Sequence, residues 1–200
     1  MMFTSSFSRL LLVLPVCAAL LACSSRTQTA APPAVAASGP VSPAPGDSSV
    51  ASDSSSWLQV DSAGRTASLN MLVTRKPGAP SALINGFRAG EARIIIPVGW
   101  TVKWNWRSTD STAPHSLVVM VQREKVPLEG GRPSFSNAMT RMVTEGLRPG
   151  EIDQSTFEAE EAGWYWMMCG VPSHALEGEW LELRVDPEAN TARVEIKKKT

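Results

Sequence analysis

The 200 residues carry 19 Lys and Arg against 19 Asp and Glu, so the chain has no formal net charge, and no basic stripe interleaved with aromatics points to nucleic acid as a partner. This length leaves room for one folded domain and a tail. The seven tryptophans, Trp57, Trp100, Trp104, Trp106, Trp164, Trp166 and Trp180, put the core in the later part of the chain.

Residues 1–22 have the form of a secretory signal. Arg9 supplies the positive start, and the apolar run over 10–21 is too short for a membrane-spanning helix but suits the hydrophobic region of an export signal. The run ends Leu20-Leu21-Ala22-Cys23, which resembles the bacterial lipobox. That resemblance implies cleavage before Cys23 and acylation of its thiol. With Ser24 and Ser25 following and no Asp at the second position, it implies an exported lipoprotein of the cell envelope, in the outer membrane or facing the periplasm. An ordinary cleavage site with an incidental cysteine is the alternative. Residues 24–56 are mostly Ala, Ser, Pro and Thr, with too little apolar surface to offset the entropy of ordering. A disordered linker is expected there, its ends on the order of 30 Å apart as a flexible coil.

From Trp57 onward, short alternating runs are separated by Gly, Pro, Asp and Asn. Over 67–74, Leu69, Met71 and Val73 share one face. Ile94, Ile95 and Ile96 sit in a run over 92–98 that is closed by Pro97 and Gly99. Over 101–107, Val102, Trp104 and Trp106 alternate with Thr101, Lys103 and Asn105. Further runs lie at 115–121, 155–159, 163–168, 180–185 and 191–197. Roughly seven or eight short strands bounded by turn signals predict an all-β sandwich or barrel, with aromatic faces filling the space between two sheets. The stretch 122–154 is too long for a hairpin. One expectation is a short helix over 136–145, capped by Ser136 and stopped by Gly146. A long ordered loop is often functional, and the alternative is a cover over an open edge of the sandwich.

The cysteines sharpen the centre of the sequence. On the signal and lipobox resemblance Cys17 is lost and Cys23 acylated, which would strand Cys169 without a disulfide partner in an oxidising compartment. A buried structural thiol would explain that, and so would a metal. The two histidines of the chain decide where to look. His115 follows Pro114 and opens an apolar run, and His174 lies five residues after Cys169 in the turn Gly170-Val171-Pro172-Ser173. A thiolate with two imidazoles is a soft-to-borderline donor set that suits copper in both oxidation states.

The segments Pro97-Val98-Gly99-Trp100, Pro114-His115-Ser116-Leu117-Val118-Val119 and Cys169-Gly170-Val171-Pro172-Ser173-His174, with Gly178 and Trp180, resemble the sulfocyanin branch of the cupredoxins, small electron-transfer copper proteins. The resemblance covers roughly residues 82–185. It implies a Greek-key β-sandwich over 57–200, one copper per chain, and His115, Cys169 and His174 as ligands. It departs at Glu179, where the family places a weakly bound axial Met five residues after the second His. Glu179 is read either as a carboxylate ligand or a residue touching the ligands, or as an exposed residue at a strand start. Met139, Met142, Met167 and Met168 are the other thioether candidates.

These readings predict a lipid-anchored carrier of single electrons between redox proteins of the envelope. Two alternatives stand beside it: a Glu-ligated centre with a small-molecule or catalytic role, resembling nitrosocyanin, and copper storage or delivery. The two histidines leave none to build a further copper cluster.

Overall fold

The computed structural model describes residues 57–197. The export signal, Cys23 and the linker expected over 24–56 lie outside the described residues. In chain order the strands are β1 (Leu58–Asp61), β2 (Thr66–Thr74), β3 (Leu83–Ile84), β4 (Ala92–Pro97), β5 (Thr101–Ser108), β6 (Val118–Val121), β7 (Ile152–Glu158), β8 (Gly163–Met168), β9 (Trp180–Asp186) and β10 (Arg193–Ile196). They form two sheets. One runs β1-β2-β5-β7, with β3 paired to the end of β2, and the other runs β10-β4-β9-β8-β6. Pairing is antiparallel except for β2 with β5 and β4 with β9. The chain changes sheet at every step from β3 to β8, the interleaved connectivity of the expected Greek-key sandwich.

The alternation read from the sequence has its counterpart in burial. Leu69, Met71 and Val73 on β2 and Val102, Trp104 and Trp106 on β5 all point into the inter-sheet core. Phe157 of β7 meets Trp104 edge-on at 5.5 Å between ring centroids and stacks on Phe135 at 5.6 Å. Phe135 in turn tilts against Tyr165 of β8 at 4.8 Å. Such pairs add to the burial of their area. Trp166 and Met168, on the opposite face of β8, build a smaller cluster outside the second sheet with Val118 and Ala175.

Beyond shifts of a few residues at strand ends, three features differ from the sequence reading. No helix forms over 136–145. Thr140 N–H donates to Leu117 O and Val119 N–H to Ala138 O, so these backbone groups pair across to β6 instead of along a helix. Asn137 and Met142 take positive φ of 65° and 53°, which a helix forbids. The run at 115–121 enters regular pairing only at Val118, because His115 and Leu117 are held by this same loop. The strands β1 and β3 were not foreseen. The long connection is therefore the cover over the edge at β6.

Register places the ends of three strands together. Met168, the last residue of β8, pairs with Val118 on β6 and with Trp180 on β9. Cys169 thus emerges between the segment leading into β6 and the one leading into β9.

Candidate metal centre

His115 is fixed from the backbone. Its N–H donates to Leu147 O at 3.1 Å and its carbonyl accepts from Leu147 N–H at 2.7 Å. The connection can come this close only because Gly146, at φ +75°, has no Cβ. A Cβ there would lie 2.9 Å from His115 N and 3.0 Å from the Pro114 carbonyl carbon, nearer than side chains approach.

Cys169 and Glu179 flank the loop that carries His174. Cys169 N–H donates to Glu179 O at 3.0 Å, and Glu179 N–H donates to His174 O at 3.0 Å. Inside the loop, Glu177 N–H meets Ser173 O and Gly178 N–H meets Ala175 O. Arg88 anchors it from the β3–β4 connection through a 2.8 Å bond from Nη2 to Glu177 O, and Ala89 N–H donates to Gly178 O at 2.7 Å. A loop closed on itself and tied from below holds its side chains in place before any ligand arrives.

The donor atoms of His115, Cys169, His174 and Glu179 all lie within 4.8 Å of one another. His115 Nδ1 is 2.9 Å from each carboxylate oxygen of Glu179. His174 Nδ1 is 3.3 Å from Glu179 Oε2 and 3.5 Å from Cys169 Sγ. Cys169 is a buried free thiol, and Glu179, at 1% exposure, is no exposed strand-start residue. Only the imidazole of His174 reaches solvent, with 15% of its side chain exposed.

The site's electrostatics are those of a place built around a positive charge. Burial pushes the Cys169 thiol far up, and the Glu179 charge pushes it further. Burial alone would raise the Glu179 carboxyl, but hydrogen bonds from His115 and His174 and their charges bring it below the usual carboxylate range. Burial alone would lower His115, yet Glu179 and then Asp110 raise it. One thiolate, two imidazoles and a carboxylate converging at a largely buried place fit a single copper ion by donor type and number.

Residues 53–194 match the family model of the sulfocyanin (SoxE) domain. The chain belongs to the sulfocyanin family. It is therefore a copper protein of the cupredoxin class. It is 26% identical over 129 residues to sulfocyanin of Sulfolobus acidocaldarius, a match that covers 61% of this chain and 64% of that protein, so the chain spans just under two thirds of the relative's length. Among solved structures, reduced rusticyanin matches over 62% of this chain and 85% of its own, with 19% identity and a TM-score of 0.44. Rusticyanin from Thiobacillus ferrooxidans matches over 62% and 83%, with 23% identity and a TM-score of 0.39.

All four residues read from the sequence as ligands meet at this one place. The thioether candidates have other surroundings. Met167 packs in the inter-sheet core and Met168 in the outer cluster, while Met139 and Met142 are exposed. Two residues around the site escaped the sequence reading. Ser116 donates its N–H to Cys169 Sγ at 3.4 Å. Asp110 lies 2.9 Å from His115 Nε2. A carboxylate five residues before the histidine was the only available signal for Asp110.

Proposed function

We propose that His115, Cys169, His174 and Glu179 hold one copper ion and that the protein is a carrier of single electrons. The observation that carries this reading is the convergence of the four donors with three of them buried and His174 alone reaching solvent. When bound, copper supplies a one-electron couple. The protein's part is to hold both states in one geometry and to keep water out. Burial of Cys169 and Glu179 supports transfer of an electron over access of a substrate. The edge of His174 is the path of least insulation to a partner. Leu128 accepts a bond from Ser173 N–H beside it, and Leu128 and Leu176 are both exposed, giving that edge apolar neighbours.

Charge count gives the couple its direction. A thiolate and a carboxylate together offset a dipositive ion, so the oxidised centre is neutral and the reduced one carries a buried negative charge. With methionine in place of Glu179, the oxidised centre would be positive and the reduced one neutral. Buried net charge is costly, so Glu179 favours the oxidised state and lowers the reduction potential.

The sequence over 20–23 supports export and a lipid anchor at Cys23, and the composition over 24–56 supports a leash. In this reading the carrier serves redox proteins at the envelope while tethered to a membrane. Among the described residues His115, Cys169, His174 and Glu179 form one cluster of His, Cys and carboxylate donors, in keeping with a single ion per chain.

Copper reconstitution of the full chain tests the reading, followed by visible spectroscopy and voltammetry. One ion per chain, an intense thiolate-to-copper band and a reversible couple are expected. A protein that binds several Cu(I) ions, or shows neither band nor couple, is not this carrier.

A further inference from the structure

His115 meets a carboxylate on each side of its ring. Nδ1 faces Glu179 and the other donors. Nε2, on the far edge, lies 2.9 Å from Asp110 Oδ2. Asp110 is 3% exposed, and both its oxygens are engaged. Arg75 Nε donates to Oδ2 at 3.0 Å. Thr112 donates to Oδ1 twice, from its backbone N–H at 2.8 Å and its hydroxyl at 2.6 Å. The Asp110 N–H is itself held by Ser108 Oγ at 3.1 Å.

This arrangement follows from the parallel pairing of β2 with β5. Val73 and Ser108 are the last rung of that ladder, and Thr109 N–H still bonds Val73 O at 2.9 Å beyond it. Arg75 and Asp110 each stand two residues past the rung, so the pair is delivered to one spot by the sheet itself. A carboxylate tied at four points cannot turn away from the imidazole. An ionised carboxylate only accepts, so Nε2 carries the hydrogen whenever this bond is made, and the Nδ1 lone pair is left for the cluster.

We propose that Asp110 is a positioning residue of the metal site: it orients His115 with Nδ1 toward Cys169, His174 and Glu179 and strengthens that nitrogen as a donor, while Arg75 tempers its charge. This rests on the metal-centre reading above. A carboxylate on the outer N–H of a metal-binding imidazole fixes the ring and raises its basicity. A more basic donor favours the more highly charged ion, so Asp110 adds to the effect of Glu179 and Arg75 works against it.

The test uses the full chain with Asp110→Asn, Asp110→Ala and Arg75→Met. It measures Cu(I) and Cu(II) affinity, reduction potential, and the His115 Nε2 proton by nuclear magnetic resonance in the diamagnetic Cu(I) form. Asp110→Asn keeps the shape and removes the charge. Its Cu(II) affinity is expected to fall about tenfold with Cu(I) little changed, and a tenfold change in a one-electron couple raises the potential by about 59 mV. In Asp110→Ala the loss moves toward a hundredfold, and the downfield, slowly exchanging Nε2 proton disappears. Arg75→Met moves the potential the other way. Opposite signs are the signature, because a merely structural role would not reverse between the two. Potentials that stay at the parent value in Asp110→Asn and Arg75→Met, or shift in the same direction, overturn the proposal, as does a protected Nε2 proton in Asp110→Ala. If the parent takes up no copper, the metal-centre reading fails and takes this one with it. If the parent loads normally and the variants match it, only the role of Asp110 falls.

Discussion

Ser116 holds Cys169 in two ways. Its backbone N–H donates to Cys169 Sγ at 3.4 Å, and its hydroxyl ties together the backbones on either side of the sulfur, donating to Val143 O at 2.6 Å and accepting from Gly170 N–H at 2.9 Å. Ser116→Ala leaves both of those groups without a partner. Stranded buried groups cost about 1–3 kcal/mol, so the midpoint of urea unfolding should fall by that equivalent. The N–H bond to sulfur survives in the variant, so copper should still load, with the thiolate-to-copper band displaced. An unchanged midpoint would mean that water replaces the hydroxyl without loss.

Glu179 is the residue whose replacement most directly reports on the couple. Glu179→Met removes the buried negative charge, and the reduction potential should rise by at least about 59 mV, the equivalent of a tenfold change in relative affinity for the two ions. Glu179→Gln should move it in the same direction. Voltammetry and visible spectra of both variants beside the parent decide the matter. Spectra and potentials identical in all three would show that the carboxylate does not bind the metal.

Gly146 sets the approach of the long connection to His115. Gly146→Ala places a Cβ at φ +75° within 2.8 Å of Val171 Cγ2 as well as 2.9 Å of His115 N. Backbone held in a disfavoured region costs on the order of 1–3 kcal/mol, and the clash adds to it. Urea unfolding should register the loss, and copper affinity should fall with it because His115 is displaced. A fully stable variant with parent affinity would show the loop to be free to move away.

Glu182, outside the cluster of candidate ligands, gives a pH dependence of its own. Burial alone would raise its carboxyl, but bonds from Lys197 at 2.5 Å and Arg93 at 2.8 Å outweigh this and hold it below its ordinary 4.5. A carboxyl depressed by folding stabilises the native state above its unfolded value and loses that contribution as pH falls through the folded one. Thermal melts of the metal-free protein should therefore decline as pH falls below about 4.5. Glu182→Gln should flatten that part of the profile, and salt should flatten it too because the group is near the surface. A decline of equal depth in the variant would assign the acid limb elsewhere.

What the sequence revealed depended on whether the signal was local. Trp104 and Trp106 alternate with polar neighbours over a whole strand, so β5 was legible almost to its ends. The strand Gly163–Met168 was bounded by its own turn signals and matches β8. By contrast β1 reads Leu-Gln-Val-Asp with little burial, and β3 is two residues long, so neither carries a period to detect. Ala138, Met139, Met142 and Val143 have helical spacing, but the partners of that backbone are on β6, and tertiary pairing overrode the pattern. The same division holds in the site. Cys169 and His174 announce themselves by spacing within one loop, and Glu179 stands where the family resemblance places a Met. Asp110 lies in a run of Ser, Thr and Asp that looks like any solvated turn, and its partner Arg75 is 35 residues away. Only the register of β2 against β5 makes the two neighbours.

The loop that folds back over β6 has a consequence beyond the site. An unpaired strand edge invites another chain to add to it, and the sheet that holds β8 and β9 has two edges to protect. At β6 the loop occupies the backbone groups itself, through Ser134, Ala138 and Thr140. At the other margin β10 is four residues long and carries Arg193 and Glu195, charges that discourage a flat partner. Molecules crowded together can then meet repeatedly without polymerising through this sheet.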